Sequence, residues 1–392
     1  MNFLNWPNFS SEEGDKVREV LLSNKVNYWT GDEVKSFEKE FALYSNSKYA
    51  IALANGTLAL ELSLLAINLE AGDEVIVSPR SFIASASCVV NIGATPVFAD
   101  VDLETGNITA ESIRKKITNR TRAVICVHIA GYPCELDMIM SLCKEKNIYV
   151  IEDCAQAHGA KYKNKPIGSI GDIGCFSFCQ DKIITTGGEG GMVITNNKEL
   201  WQKMWSYKDH GKSFEIMKNL KNDNSNGFKW VHESLGSNYR LTEIQAAIGR
   251  IQLKKLDSWR QTRENNALRI SEVCSKYPDF FRVPRLNDSI KHAWYKLHIF
   301  LSREALKKNI TPEKFINELS KMNIPCFYGP CPEIYLEKGF KNFLNKTFPR
   351  LPNAKALGET SLMFLVHPTL TEDDISEICK GIDIAVKNLN HD

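Results

Sequence analysis

No two of the eleven cysteines form a CxxC pair, and an odd number without regular spacing offers no framework for a disulfide scaffold. Several sit inside apolar runs, as reduced thiols of a reducing compartment do. No apolar run is long enough to span a bilayer, and residues 1–12 lack the basic start and apolar core of a secretory signal. No block of like charge forms a tail, and a net charge of +2 gives no pull toward nucleic acid or an anionic membrane. The chain has no internal repeat and no low-complexity segment. No GxGxxG follows the first expected strand, which argues against a dinucleotide-dependent oxidoreductase. The expectation is a cytoplasmic globular protein. Its 43% apolar and 24% charged residues are the proportions of a folded soluble chain. At 392 residues it exceeds one ordinary core, so two domains are expected.

What is present is a regular alternation. After helices expected over 11–23 and 32–44, apolar strands are expected at 49–54, 74–78, 96–101, 122–128, 148–152, 175–178 and 192–196. Helices are expected from 58, over 81–92, 109–117 and 136–146, and from 199. Such alternation predicts an α/β fold with a mostly parallel seven-stranded sheet and helices on both faces. Ligands of these sheets bind beyond the carboxyl ends of the strands. Residues 208–227 are polar and asparagine-rich, a mobile loop by composition. An amphipathic helix is expected over 242–259. Past Arg260 the alternation fades into a long helix, two short strands (one at 295–301) and helices over 312–321 and 372–388. The chain thus divides into a large domain over 1–255 and a small C-terminal α+β domain over 256–392.

Residues 151–195 carry the chemistry. Asp153 ends an apolar strand, and Lys182 lies between the short strand 175–178 and the turn Gly187-Gly188-Glu189-Gly190-Gly191. An aspartate and a lysine on neighbouring strand ends are what pyridoxal 5'-phosphate (PLP) requires. The amine forms a Schiff base, and the carboxylate keeps the pyridine nitrogen protonated so that the ring is an electron sink. Asn55-Gly56-Thr57, between a strand and a helix, suits a phosphate, with Thr57 as a helix cap in the plainer alternative. Asp153, Gln156 and His158 form a dense polar cluster in one short loop. His128 at a strand end reads equally as a ligand contact or a satisfied core histidine. Phe82 and Glu189 taken alone read as core and turn residues, and Lys182 alone as a surface charge.

Seven motifs in order give these residues their meaning: ANGTLAL (54–60), AGDEVIVSPRSF (71–82), GATPVFADVD (93–102), VHIAGYP (127–133), EDCAQAHGA (152–160), FSFCQDKIITTGGEGGMV (176–193) and GSNYRLTEIQAAIGRIQL (236–253). Over nearly its whole length the chain resembles the DegT/DnrJ/EryC1/StrS family of PLP-dependent nucleotide-sugar aminotransferases, which have the aspartate-aminotransferase-like fold. The resemblance implies that Lys182 binds PLP covalently and moves the proton, and that Asp153 pairs with the pyridine nitrogen. It places Gln156 near the ring hydroxyl, Phe82 on the ring, and Gly56, Thr57 and Ser177 around the phosphate. Asn238 would reach the phosphate from the neighbouring subunit of a homodimer, and Arg240 and His210 would lie near the substrate or the interface. The implied reaction moves an amino group from glutamate through the pyridoxamine form (PMP) to a nucleoside-diphosphate keto-6-deoxy-sugar, expected to be a 4-keto sugar, for O-antigen or a related glycan. Members that dehydrate the sugar carry histidine where Lys182 stands, so the lysine favours transamination over that alternative and over an idle PLP-binding regulator. Residues 208–235 with Trp29, Trp294, Tyr295, Phe327 and Tyr328 are candidates for the substrate pocket.

Overall fold

The computed structural model describes residues 3–220, 228–344 and 348–391. Seven strands build the main sheet: β1 (Tyr49–Leu53), β2 (Glu74–Val77), β3 (Thr95–Phe98), β4 (Thr121–Val127), β5 (Tyr149–Asp153), β6 (Ile173–Ser177) and β7 (Gly191–Thr195). Their order is β1-β7-β6-β5-β4-β2-β3. Only β7 runs antiparallel to its neighbours, which leaves the carboxyl ends of the other six on one rim.

These strands are apolar in nearly every position because both faces are covered. Alternate side chains enter opposite layers. In β4, Val124 and Cys126 join one core with Phe37, Phe41 and Val150, while Ala123, Ile125 and Val127 join another with Leu62, Val89 and Trp205. The strand and helix positions expected from the alternation are present, with ends displaced by a few residues. The loop expected over 208–227 is different: it contains a helix, Phe214–Leu220. Phe214 packs edge-on against Trp201 and Trp205, giving that segment an apolar anchor its polar composition hides. Asn222, Asn224 and Asn226 lie outside the described residues.

The helix expected over 242–259 runs much further, Glu243–Ser275. A capping box between Thr242 and Gln245 starts it. No glycine or proline follows Gly249 until Pro278, so nothing local stops it. The expected division at 255/256 falls inside this helix. Leu253 and Leu256 pack on the large core, whereas Ala267, Ile270 and Cys274 pack on a separate C-terminal core. That second core lies on an antiparallel sheet of β8 (Phe281–Arg282), β9 (Leu297–Leu301), β10 (Cys326–Phe327) and β11 (Ser361–Phe364), in the order β8-β9-β11-β10. Helices Pro312–Lys321 and Glu372–His391 complete it. No helix among the described residues is long and apolar enough to cross a membrane.

Two glycines test how closely the layers approach. A Cβ on Gly191, at the start of β7, would stand 2.3 Å from the Asn55 carbonyl oxygen, whereas one on Gly14 would meet nothing within 4 Å. Gly191→Ala is expected to destabilise the protein by about 1–3 kcal/mol through overpacking. Gly14→Ala, inside helix Ser11–Leu22, is expected to stabilise it by about 0.4–1 kcal/mol through the unfolded chain. Urea unfolding midpoints measure both.

Candidate active site

Beyond the carboxyl ends of β1, β2, β5 and β6 lies a cavity of about 930 Å³. Its floor begins at β1. Helix Gly56–Ala66 starts almost at once, and Asn55, not Thr57, is its cap: the Asn55 Oδ1 accepts the Leu58 N–H at 2.9 Å. The first-turn amides of Gly56 and Thr57 have no acceptor within the helix by its geometry. A Cβ on Gly56 would stand 2.6 Å from the Ser177 Cβ, so glycine is what lets the helix start meet the end of β6. First-turn amides and the Thr57 and Ser177 hydroxyls thus share one wall, an arrangement suited to an oxyanion.

Asp153, at the end of β5, is buried at the cavity floor. Its Oδ2 accepts the Ser85 hydroxyl at 2.7 Å, and its Oδ1 accepts the Ala155 N–H at 3.1 Å. Ser85 in turn accepts from Ser81, 2.8 Å away, when its own proton is on Asp153. Burial pushes the Asp153 carboxyl above the usual carboxylate range, and these donors, with the charge of Lys182, offset it only in part. A cation beside it would complete the compensation.

Lys182 is held from two sides. Its N–H donates to the Cys179 carbonyl at 3.1 Å, and its carbonyl accepts the Trp6 indole N–H at 2.7 Å. Its Nζ lies 3.7 Å from Asp181 Oδ1 and 5.0 Å from the centre of the Tyr295 ring. Burial works to raise the Asp181 carboxyl, but the Lys182 ammonium and the donated Tyr295 hydroxyl outweigh it and hold it below its ordinary value. The glycine turn that follows needs its glycines, since Gly187 and Gly188 have φ of 90° and 134°.

Phe82 and Gln156 border the same cavity. The Phe82 ring is 67% exposed, so one face is free to stack. Gln156 Oε1 accepts the Ala130 N–H at 2.7 Å, which orients its amide. Gly56, Thr57, Phe82, Asp153, Gln156, Ser177 and Lys182 are therefore brought together by the fold. Asn238 is not: it pairs with Asp209 through the backbone and does not line its own chain's cavity. Arg240 binds the buried Asp209 at 2.7 Å.

Other candidates resolve differently. His128 is a satisfied core histidine, with Nδ1 accepting the Cys134 N–H at 3.0 Å and Nε2 against Glu152 at 3.1 Å. His158 packs between Phe176 and Phe178 behind the cavity, and burial lowers it to about 3. Of the aromatic pocket candidates, Tyr295 lines the cavity, while Trp294 borders a separate small pocket of about 40 Å³. Trp29, Phe327 and Tyr328 do not line the cavity. Ser85, Asp181 and Trp6 escaped the sequence reading. Asp181 was signalled only by adjacency to Lys182, and Ser85 by standing one helical turn past Phe82.

This donor set fits PLP: an oxyanion wall, an open aromatic face, an under-compensated buried carboxyl and a nearby primary amine. Fold and cavity together define a PLP-dependent enzyme of the aspartate-aminotransferase type. The model of the DegT/DnrJ/EryC1/StrS aminotransferase family matches residues 7–383, and the chain belongs to that PLP-dependent family of sugar aminotransferases. It is similar to the GDP-perosamine synthase of Escherichia coli O157:H7, 34% identical over 96% of each chain. It is equally similar to the spore coat polysaccharide biosynthesis protein SpsC of Bacillus subtilis, 34% identical over 97% of this chain and 96% of that one. The crystal structure of an aminotransferase from Psychrobacter cryohalolentis superposes with a TM-score of 0.96 at 54% identity, covering 99% of this chain and 100% of the other.

If Asp153 depends on its donors, Ser85→Ala should weaken PLP retention by about tenfold, the value of one hydrogen bond to a charged group. Ser85→Thr, which keeps the hydroxyl, should restore most of it. Absorbance titration of the protein with PLP measures both.

Proposed function

We propose that this enzyme transfers the amino group of glutamate to a nucleoside-diphosphate-linked keto-6-deoxyhexose, a 4-keto sugar, in the assembly of a surface polysaccharide such as O-antigen. The observation that carries the chemistry is Lys182 and Asp153 on one cavity large enough for cofactor and sugar together. The nucleotide-linked sugar is supported by the GDP-sugar product named for one relative, and the polysaccharide by the name of the other.

In this reading Gly56, Thr57 and Ser177 hold the cofactor phosphate, together with Asn238 of the partner subunit. Phe82 stacks on the ring, Gln156 meets its hydroxyl, and Asp153 pairs with its nitrogen. Bound PLP supplies the electron sink that lets a proton leave the amine-bearing carbon. Lys182 Nζ moves that proton, as general base in one direction and general acid in the other. Asp181 and Tyr295 steady the ammonium whenever Lys182 carries the proton. Asp153 stays ionised through its donors and the ring cation it faces. A homodimer is supported by Asn238 lying off its own cavity, and by Phe228, Trp230 and Leu235 being 80%, 86% and 94% exposed in one chain. The enzyme acts in the cytoplasm in this reading.

The first test is the visible spectrum of the PLP-loaded protein before and after glutamate. Conversion of the PLP band to the PMP band, followed by its return on adding a keto-sugar nucleotide, supports the assignment. A bound band that no amine converts would overturn it. Lys182→Ala should lose at least about a thousandfold in turnover, within the range for removing a group that both bonds covalently and transfers protons, while circular dichroism stays unchanged.

Shared sites make a second prediction. Lys182→Ala and Asn238→Ala chains, each weak alone, should regain activity when mixed under conditions of subunit exchange. Mixed dimers confirmed by size and tag, yet still inactive, would exclude Asn238 as a contributor across the interface.

A further inference from the structure

The segment leading into β9 places a second lysine on the cavity wall. Lys296 borders the cavity beside Tyr295, and its Nζ lies 4.9 Å from the centre of the same ring that Lys182 Nζ approaches to 5.0 Å. Lys182 has Asp181 at 3.7 Å. Lys296 has no hydrogen-bond or ion-pair partner among the described residues. Asp181 already accepts the Tyr295 hydroxyl and faces Lys182, so one carboxylate serves two ammonium groups. Buried Arg263, whose Nη1 donates to the Tyr295 carbonyl at 3.2 Å, adds a third cation behind them. Glu189 and Glu337 also border the cavity, each next to a cysteine, Cys179 and Cys331.

A half-buried ammonium without a hydrogen-bond or ion-pair partner draws a carboxylate, since pairing recovers the solvation it has lost. We propose that Lys296 sets amino-donor specificity by receiving a carboxylate of the donor while the donor's amino nitrogen stands at Lys182. This rests on the glutamate reading above. Each ammonium group lies about 5 Å from the same ring centre, which bounds their separation at about 10 Å, within the combined reach of an amino acid's amine and carboxylate and a hydrogen bond. The charge of a nucleotide sugar, by contrast, is separated from its keto carbon by the hexose ring.

The charge on Lys296 also sets a pH dependence. Burial lowers Lys296 to about 8; Asp181 opposes this, and Arg263 and Lys182 add to it. His298 and His367 also face it, and burial holds both well below their ordinary range, hence neutral at pH 7. Lys296 is charged below about pH 8 and neutral above, so donor affinity should fall as pH rises through that value. Lys296→Arg should remove the fall.

The test uses the PLP-loaded enzyme and glutarate, a dicarboxylate with no amine to transfer, with binding measured by calorimetry alongside half-saturating glutamate. Lys296→Met should weaken both by at least about tenfold, and Lys296→Arg should restore them, as expected for a charge-assisted hydrogen bond. Half-saturating keto-sugar nucleotide should change by less than about twofold, because that substrate would not use the contact. Equal glutarate binding by wild type and Lys296→Met overturns the proposal, as does a loss confined to the nucleotide sugar, which would move Lys296 to the diphosphate. Lys296-dependent glutarate binding in an enzyme that glutamate fails to convert would uphold the carboxylate site and overturn the donor reading alone.

Discussion

A carboxylate at the end of a buried strand is the constraint on which the rest of this structure turns. Asp153 closes β5, in the middle of a sheet covered on both faces, where an uncompensated charge is costly. The helix after β2 delivers Ser85 to one oxygen, and the chain's own turn delivers the Ala155 N–H to the other. These two donors leave the carboxyl still raised by burial, so the site favours a cationic partner. An aspartate satisfied by an arginine would pack as well and would have nothing left for a cofactor.

Lys182 is held chiefly through its main chain. The fixing falls to its backbone, through Trp6 and Cys179, and the side chain is steadied by Asp181 and the Tyr295 ring without a close ion pair. Tyr295 comes from the segment before β9 and Trp6 from near the N-terminus, so the lysine's setting joins parts of the chain that are far apart in sequence. The helix Glu243–Ser275, packing on both cores, is what keeps those parts in register.

Much of this was legible in one dimension. Strand–helix alternation specifies a parallel sheet, and the sheet puts Gly56, Phe82, Asp153 and Ser177 at its carboxyl rim. The long helix was underestimated because the apolar face it presents changes partner midway, which blurs its periodicity. The helix Phe214–Leu220 was missed because a polar, asparagine-rich stretch hides one anchoring phenylalanine. His128 and His158 look alike in sequence, each within a motif. Only packing separates the first, fully hydrogen-bonded, from the second, wedged between two phenylalanines.

Fold class and family follow from one dimension, because they rest on periodicity and on local motifs whose spacing is rigid, and the same motifs set Asp153 and Lys182 on neighbouring strand ends. Folding in three dimensions sets what surrounds that pair: Asn55 as the helix cap, Ser85 and Ala155 on Asp153, Asp181 and Tyr295 about Lys182, Lys296 on the cavity wall, and Asn238 outside the lining of its own chain's cavity. Those contacts join residues from separate segments, and desolvation and hydrogen bonding depend on distances in space that no spacing along the chain encodes.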